Sequence, residues 1–101
     1  LGTYFPSSDD NWAGANSNVF LLEVLSLMSA KQYEINNIDC TIILQAPHIT
    51  QYILEMRKNI SRLCEINLDQ VSVKATTTDK LGSIGRGEGI GSSSIVLLKK
   101  V

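Results

Sequence analysis

Thr76, Thr77, Thr78 and Asp79 stand side by side and offer three hydroxyls followed by a carboxylate. Hydroxyls and successive backbone N–H groups at the end of a strand suit phosphate oxygens, above all where a short helix begins at Asp79. A carboxylate beside phosphates suits one contact to Mg²⁺, a hard cation that takes oxygen ligands and shares them with phosphate. The plainer account makes the threonines a strand end and Asp79 a helix cap, and on spacing alone it ranks ahead. A few residues on, Gly82, Gly85, Gly87, Gly89 and Gly91 surround Arg86 and Glu88. This run holds no G-x-G-x-x-G frame, because Ile90 stands where a third glycine would follow Gly85 and Gly87, and no G-x-x-x-x-G-K-[ST]. Its glycines are expected to serve positive φ or a close approach of backbone. Arg86 and Glu88 fit a solvated pair; equally, Arg86 fits a grip on a phosphate or carboxylate.

His48 is the sole histidine. Alone it makes no zinc site, since even a catalytic zinc needs three protein ligands. No Ser/His/Asp or Cys/His spacing recommends nucleophilic catalysis. Cys40 and Cys64 each fall in an apolar-periodic segment and read as reduced thiols packed as small hydrophobes. Asn59-Ile60-Ser61 matches a glycosylation sequon but lies in a segment with helical periodicity. The residues read so far offer a phosphate site without a self-sufficient catalytic apparatus.

The elements that must hold these residues follow from periodicity. Phe20, Leu21, Val24, Leu25 and Met28 recur at helical spacing behind an N-cap at Asn16 or Ser17, predicting a helix over 17–31 whose stripe is core. The β-branched run 37–45, stopped by Pro47, predicts a buried strand. Ile49, Tyr52, Ile53, Met56, Ile60 and Leu63 predict an amphipathic helix over 49–64. Val71, Val73 and Ala75 alternate with polar residues as a half-buried strand, and 94–98 form a last strand after a long glycine loop. Strand, helix and strand in succession predict a right-handed crossover and a parallel pair. Parallel strands end on one side of their sheet, where ligands of open α/β sheets bind. Gln45-Ala46-Pro47-His48 and Thr76-Thr77-Thr78-Asp79 are therefore expected to build one site.

Composition sets the outer bounds. At 101 residues with 44% hydrophobic and 19% charged, the chain is one small domain, neither a disordered tail nor a coiled coil. A net charge of −1 provides no basic field for nucleic acid or an anionic membrane. No window approaches the roughly 18 consecutive apolar residues of a membrane span, and no secretion signal is visible. The expected compartment is cytoplasmic, or a plastid-type organelle after processing.

Gln45-Ala46-Pro47, Val73-Lys74-Ala75-Thr76-Thr77-Thr78-Asp79-Lys80-Leu81-Gly82 and Gly85-Arg86-Gly87-Glu88-Gly89-Ile90 together resemble the 2-C-methyl-D-erythritol 2,4-cyclodiphosphate synthase family. The likeness runs from Gly2 and Phe5-Pro6 to the final strand and corresponds to the C-terminal two thirds of the family's usual length. It implies a two-layer α+β (α/β) fold with a mixed sheet and helices on one face, forming a homotrimer around a threefold axis with active sites between subunits. It also implies the non-mevalonate reaction of 4-diphosphocytidyl-2-C-methyl-D-erythritol 2-phosphate to the cyclic diphosphate and CMP. Zn²⁺ and a second ion, Mg²⁺ or Mn²⁺, would hold the phosphates. By this resemblance Leu44, Gln45, Ala46, Pro47, His48, Ile49 and Thr50 form a cytosine pocket, largely through backbone groups. Ala75, Thr76, Thr77 and Thr78 complete it on the phosphate side, with Thr77 stabilising the transition state. Asp79 stands for the family's usual Glu as ligand of the second metal. Gly2 touches the ribose, and Phe5, Pro6, Ser7, Ser8 and Asp9 line the methylerythritol side. Arg86 faces a central cavity able to take an isoprenoid diphosphate, and Ser83 stands where an aromatic often lines that cavity.

Three departures stand out. Ser7 replaces the aspartate of an F-P-D turn, His48 stands where Lys is common, and the family's zinc ligands (an Asp-x-His and a later His) have no counterpart. With Leu1 in place of an initiator Met, the expectation is a single domain over 1–101 that is the C-terminal part of the synthase, with an upstream segment bearing zinc. The polypeptide alone is then expected to be inactive. A different reading is a non-catalytic module that binds nucleotides or isoprenoid diphosphates.

Overall fold

A computed structural model describes residues 3–5, 8 and 16–101, so the expectations for Gly2, Pro6, Ser7 and Asp9 lie outside the described residues. Helix α1 spans Ser17–Ala30, and Asn16 caps it: its Oδ1 accepts the Asn18 N–H at 2.9 Å. Strand β1 follows over Tyr33–Ile43, helix α2 over Ile53–Cys64, strand β2 over Val71–Thr76, a single-turn helix α3 over Gly82–Gly85, and strand β3 over Gly91–Lys100. The sheet order is β2-β1-β3, with β1 parallel to β2 and antiparallel to β3. The fold is α+β with a three-stranded mixed sheet, and the crossover through α2 makes the expected parallel pair.

Strand β1 begins four residues earlier than the β-branched run suggested. The cause is a bulge: Ile35 pairs with Leu98 and Asn37 with Leu97, leaving Asn36 as the extra residue. Strict alternation would put Ile35 and Ile38 on opposite faces, yet the bulge turns both inward, at 8% and 7% exposure. The main-chain oxygen freed at Asn36 accepts the Gln70 side-chain amide at 2.7 Å. Strand β3 likewise runs longer than the 94–98 expected, because Ser92, Ser93, Lys99 and Lys100 pair along β1 despite weak strand propensity.

Helix α2 is preceded by a 3-10 turn over Thr50–Tyr52, so the first turn of the amphipathic segment is tighter than an α-helix. Glu65 ends it in the left-handed region at φ 55°, and Ile66 N–H returns to Ser61 C=O at 3.0 Å. Arg57 then reaches across to the start of β2, donating Nε to Val71 C=O at 2.8 Å and Nη2 to Leu68 C=O at 3.0 Å. Replacing Arg57 with Met strips two half-buried carbonyls of charged donors. Stability is expected to fall by about 2 kcal/mol, read as a lower denaturant midpoint at unchanged slope. An unmoved midpoint would mean that water replaces both bonds.

The core lies between the sheet and its helices: Phe5, Ile35, Ile38, Val71 and Val73 are the buried hydrophobic residues among those described. The β2 alternation holds at Val71 and Val73, whereas Ala75 is exposed at the strand's end. The stripe of α1 departs from its expected role as core, for no residue of that helix is buried. Leu21, Val24, Leu25 and Met28 stand with Ile35, Ile38, Val96 and Leu98 around an apolar groove that the described residues leave open. Phe20 meets Phe5 edge-on, with ring centroids 5.1 Å apart. Ile95 and Leu97, on alternate residues of β3, are exposed at 72% and 58%. Run 37–45 is accordingly half-buried rather than buried beyond Ile38.

Both cysteines are free thiols. Burial, with a smaller push from Cys40, raises the Cys64 thiol above its ordinary value, which suits a packing group better than a nucleophile. No helix among the described residues is long and apolar enough to cross a membrane.

Candidate functional site

Strands β1 and β2 run parallel in register from Ile38 opposite Val71 to Ile43 opposite Thr76. They stop together, and the chain continues on both sides into loops rather than further ladder. Leu44 N–H still donates to Thr76 C=O at 3.0 Å, one step past the end of β1. Beyond that bond the loops diverge around a small open cleft. Leu44, Pro47, His48, Ile49 and Thr50 line it from one side and Ala75, Thr76 and Thr77 from the other. Two segments 30 residues apart in sequence thus share one concave surface, as their place at the ends of parallel strands predicts.

The near wall owes its shape to the chain between β1 and α2. The Ala46-Pro47 peptide is cis, and the segment then rises into the Thr50–Tyr52 turn. Ala46, Pro47, His48 and Thr50 are exposed, while Leu44, Gln45 and Ile49 are half-buried. Among the described residues, no Asp, Glu, Lys or Arg lines the cleft. Its character is set by a few apolar side chains, hydroxyls and main-chain groups, an arrangement suited to a flat heterocycle read by backbone hydrogen bonds.

The far wall is a turn built largely by its own hydroxyls. Thr76 Oγ1 donates to Thr77 C=O at 3.2 Å, Thr77 Oγ1 accepts the Asp79 N–H at 3.2 Å, and Thr78 Oγ1 donates to Leu81 C=O at 2.7 Å. Thr77 is half-buried and still has its own O–H proton to offer into the cleft. Asp79 and Lys80 both adopt the left-handed region, with φ 54° and 66°. Asp79 is exposed and caps no helix: α3 starts three residues later, at Gly82, behind Leu81, which makes no side-chain cap. The helix-cap account of Asp79 is therefore corrected, and so is a helix beginning at Asp79. Gln45 Oε1 accepts the Lys80 N–H at 2.9 Å, tying the near wall to this turn. The sequence gives no periodic sign of that bond, because a single long side chain makes it across 35 residues.

The glycine run has structure of its own. Gly82 and Gly87 have positive φ, 69° and 77°. Gly85, the last residue of α3, lies so close to Lys80 that a Cβ would meet its carbonyl carbon at 2.2 Å. Arg86 Nε and Nη2 donate to Glu88 Oε1 and Oε2 at 2.9 and 3.2 Å, so the two form an exposed bidentate pair. Ser83 is exposed on α3, and neither it nor Arg86 lines the cleft. Ser8 is exposed, and Phe5 is buried at the wall of an apolar groove with α1 residues. Among the described residues no three His, Cys, Asp or Glu side chains come together to hold a metal ion.

Known proteins with this architecture point one way. The chain is 45% identical over 98 residues to the 2-C-methyl-D-erythritol 2,4-cyclodiphosphate synthase of Francisella tularensis subsp. novicida, covering 97% of this chain and 62% of that protein. It is 47% identical over 100 residues to the synthase of that name from Bacillus cytotoxicus, covering 99% of this chain and 63% of the relative. It therefore spans less than two thirds of the length of these curated relatives. Among solved structures, the bifunctional IspDF from Campylobacter jejuni superposes with a TM-score of 0.95 at 34% identity, over 100% of this chain and 27% of that one. IspF of Plasmodium falciparum in a CDP complex gives 0.85 at 36% identity, over 98% of this chain and 58% of the other. The YgbB family model matches residues 1–99, taking in both walls of the cleft and the three strands but for the last residue of β3, and the chain belongs to that family.

Proposed function

We propose that this chain forms the cytidine- and phosphate-binding part of a 2-C-methyl-D-erythritol 2,4-cyclodiphosphate synthase. The observation that carries the reading is the cleft shared by Leu44, residues 47–50 and residues 75–77, in a chain of this family similar to an IspF solved as a CDP complex. In the reaction, an oxygen of the substrate's 2-phosphate attacks the β-phosphorus and forms a new P–O bond. The bond from that phosphorus to the oxygen bridging the two diphosphate phosphorus atoms breaks, and CMP leaves with its electron pair. No covalent intermediate is required, so the protein's work is orientation and stabilisation of charge on the phosphoryl oxygens.

Main-chain groups of 44–50 orient the cytosine, and the apolar floor at Leu44 and Ile49 excludes water beneath it. Thr76 and Thr77 face the diphosphate. Thr77 O–H donates to a non-bridging oxygen as charge moves on to CMP, while its oxygen continues to hold Asp79 N–H. Zinc finds no fit among the described residues, and no step is assigned to it. A single exposed carboxylate does suit Mg²⁺ or Mn²⁺, which keep several waters and take phosphate oxygens for the rest. Asp79 would hold that ion, which supplies charge neutralisation at the diphosphate. Exposed Ile95 and Leu97 suit burial against sister subunits in a homotrimer, and an exposed ion pair as weak as Arg86–Glu88 leaves Arg86 able to exchange Glu88 for a diphosphate in a central cavity.

The test uses the protein expressed from its full reading frame. Incubated with 4-diphosphocytidyl-2-C-methyl-D-erythritol 2-phosphate and divalent metal, it should yield cyclic diphosphate and CMP in equal amounts by phosphorus NMR. Substrate that survives unchanged would refute the assignment.

A further inference from the structure

Asp79 and Lys80 are successive non-glycine residues with positive φ, a conformation that L side chains disfavour. Such a turn persists only where its surroundings over-determine it. Three of its supports are internal: the Leu81 N–H bond to Thr78 C=O at 3.0 Å and the Thr77 and Thr78 hydroxyl bonds. The other two converge on Lys80 from outside: Gly85 is seated against its backbone, and Gln45 Oε1 accepts its N–H at 2.9 Å. Gln45 directly follows Leu44, whose N–H bonds to Thr76 C=O. The two walls of the cleft are therefore fastened at consecutive residues, first through main chain and then through a side chain. The carboxylate of Asp79 is one residue from that second fastening.

We propose that Gln45 is a positioning residue: through Lys80 N–H it fixes the Asp79 turn against the nucleotide-side wall, so that placing the base also places the phosphate-side carboxylate. This deepens the cyclodiphosphate synthase reading and rests on it for its kinetic consequence alone. The alternative role, a direct side-chain contact to substrate, makes a different demand, since the lost contact would then weaken binding itself.

Two variants separate these roles. Gln45→Met keeps length and removes the acceptor, whereas Gln45→Glu keeps an acceptor in the same place. In ligand-free protein, hydrogen exchange at the Lys80 amide should quicken about tenfold or more in Gln45→Met, relative to β1 amides as internal reference, and stay near wild type in Gln45→Glu. In the synthase assay, Gln45→Met should lower kcat about tenfold with KM changed less than about threefold, and Gln45→Glu should recover most of kcat. Unchanged Lys80 exchange in Gln45→Met, or equal loss in both variants, would overturn the proposal. So would a rise in KM that matches the whole loss in kcat/KM, which marks a direct contact. If wild-type protein shows no synthase turnover, the functional reading fails while the exchange comparison still decides the role of Gln45.

Discussion

Thr77→Ala should lower turnover of the proposed reaction about 100-fold while KM rises far less, and Thr77→Ser should stay within about fivefold of wild type. The separation follows from what the hydroxyl does at two moments. In the resting site its oxygen accepts the Asp79 N–H at 3.2 Å, a long bond of modest worth. During phosphoryl transfer its proton faces oxygens on which charge is redistributing, in a cleft that no side-chain cation among the described residues lines. A donor already in place at that moment stabilises the transition state more than the ground state, so its loss falls on kcat. Serine preserves both the acceptor and the donor and gives up only a methyl group. Steady-state kinetics of the two variants check this, and equal losses in Ala and Ser would shift the role from the hydroxyl to the methyl.

The second large effect arises where no side chain exists. Gly85→Ala places a Cβ 2.2 Å from the Lys80 carbonyl carbon and 2.7 Å from its Cα and oxygen, all backbone atoms that cannot rotate aside. Ordinary contact requires a displacement on the order of 1 Å, by α3 or by the Asp79–Lys80 turn. A shift of that size at a reacting centre costs about 100-fold in rate, and the overpacking itself costs about 1–3 kcal/mol of stability. Gly89→Ala is the matched control, because no described residue lies within 4 Å of its Cβ position and its φ is not positive. Thermal unfolding and turnover measured side by side should show both losses in Gly85→Ala and neither in Gly89→Ala. Wild-type behaviour of Gly85→Ala would mean that α3 slides freely over Lys80, and the turn would then need another explanation.

Much of this site was legible as pattern. The helical spacing from Ile49 to Leu63 and the alternation at Val71 and Val73 predict a strand–helix–strand unit, and the parallel direction of its two strands brings two distant loops to one edge. Periodicity failed where the backbone broke its own period. At Asn36 the bulge reverses the inward face, so Tyr33, Glu34 and Ile35 fall out of phase with the run after it and do not read as one strand with it. In the glycine run, α3 is one turn long, too short to show any repeat. The α1 stripe was read correctly as helix and incorrectly as core, since periodicity reports which side of a helix is apolar and not whether anything covers it. Asp79 shows a similar limit: residue type suggested a cap, whereas the left-handed turn carries the chain past it before a helix starts. The Gln45 bond to Lys80 had no sequence signal, because one flexible side chain determines it.

The central claim is that residues 44–50 and 75–80 form one site for a cytidine nucleotide. Amide chemical shifts recorded while CDP is titrated into the protein test it most directly. Binding should saturate with the largest shifts at Leu44, Ile49, Thr76, Thr77 and Lys80, moving together along one isotherm. Shifts confined to one of the two loops, or centred on the apolar groove between α1 and the sheet, would contradict it.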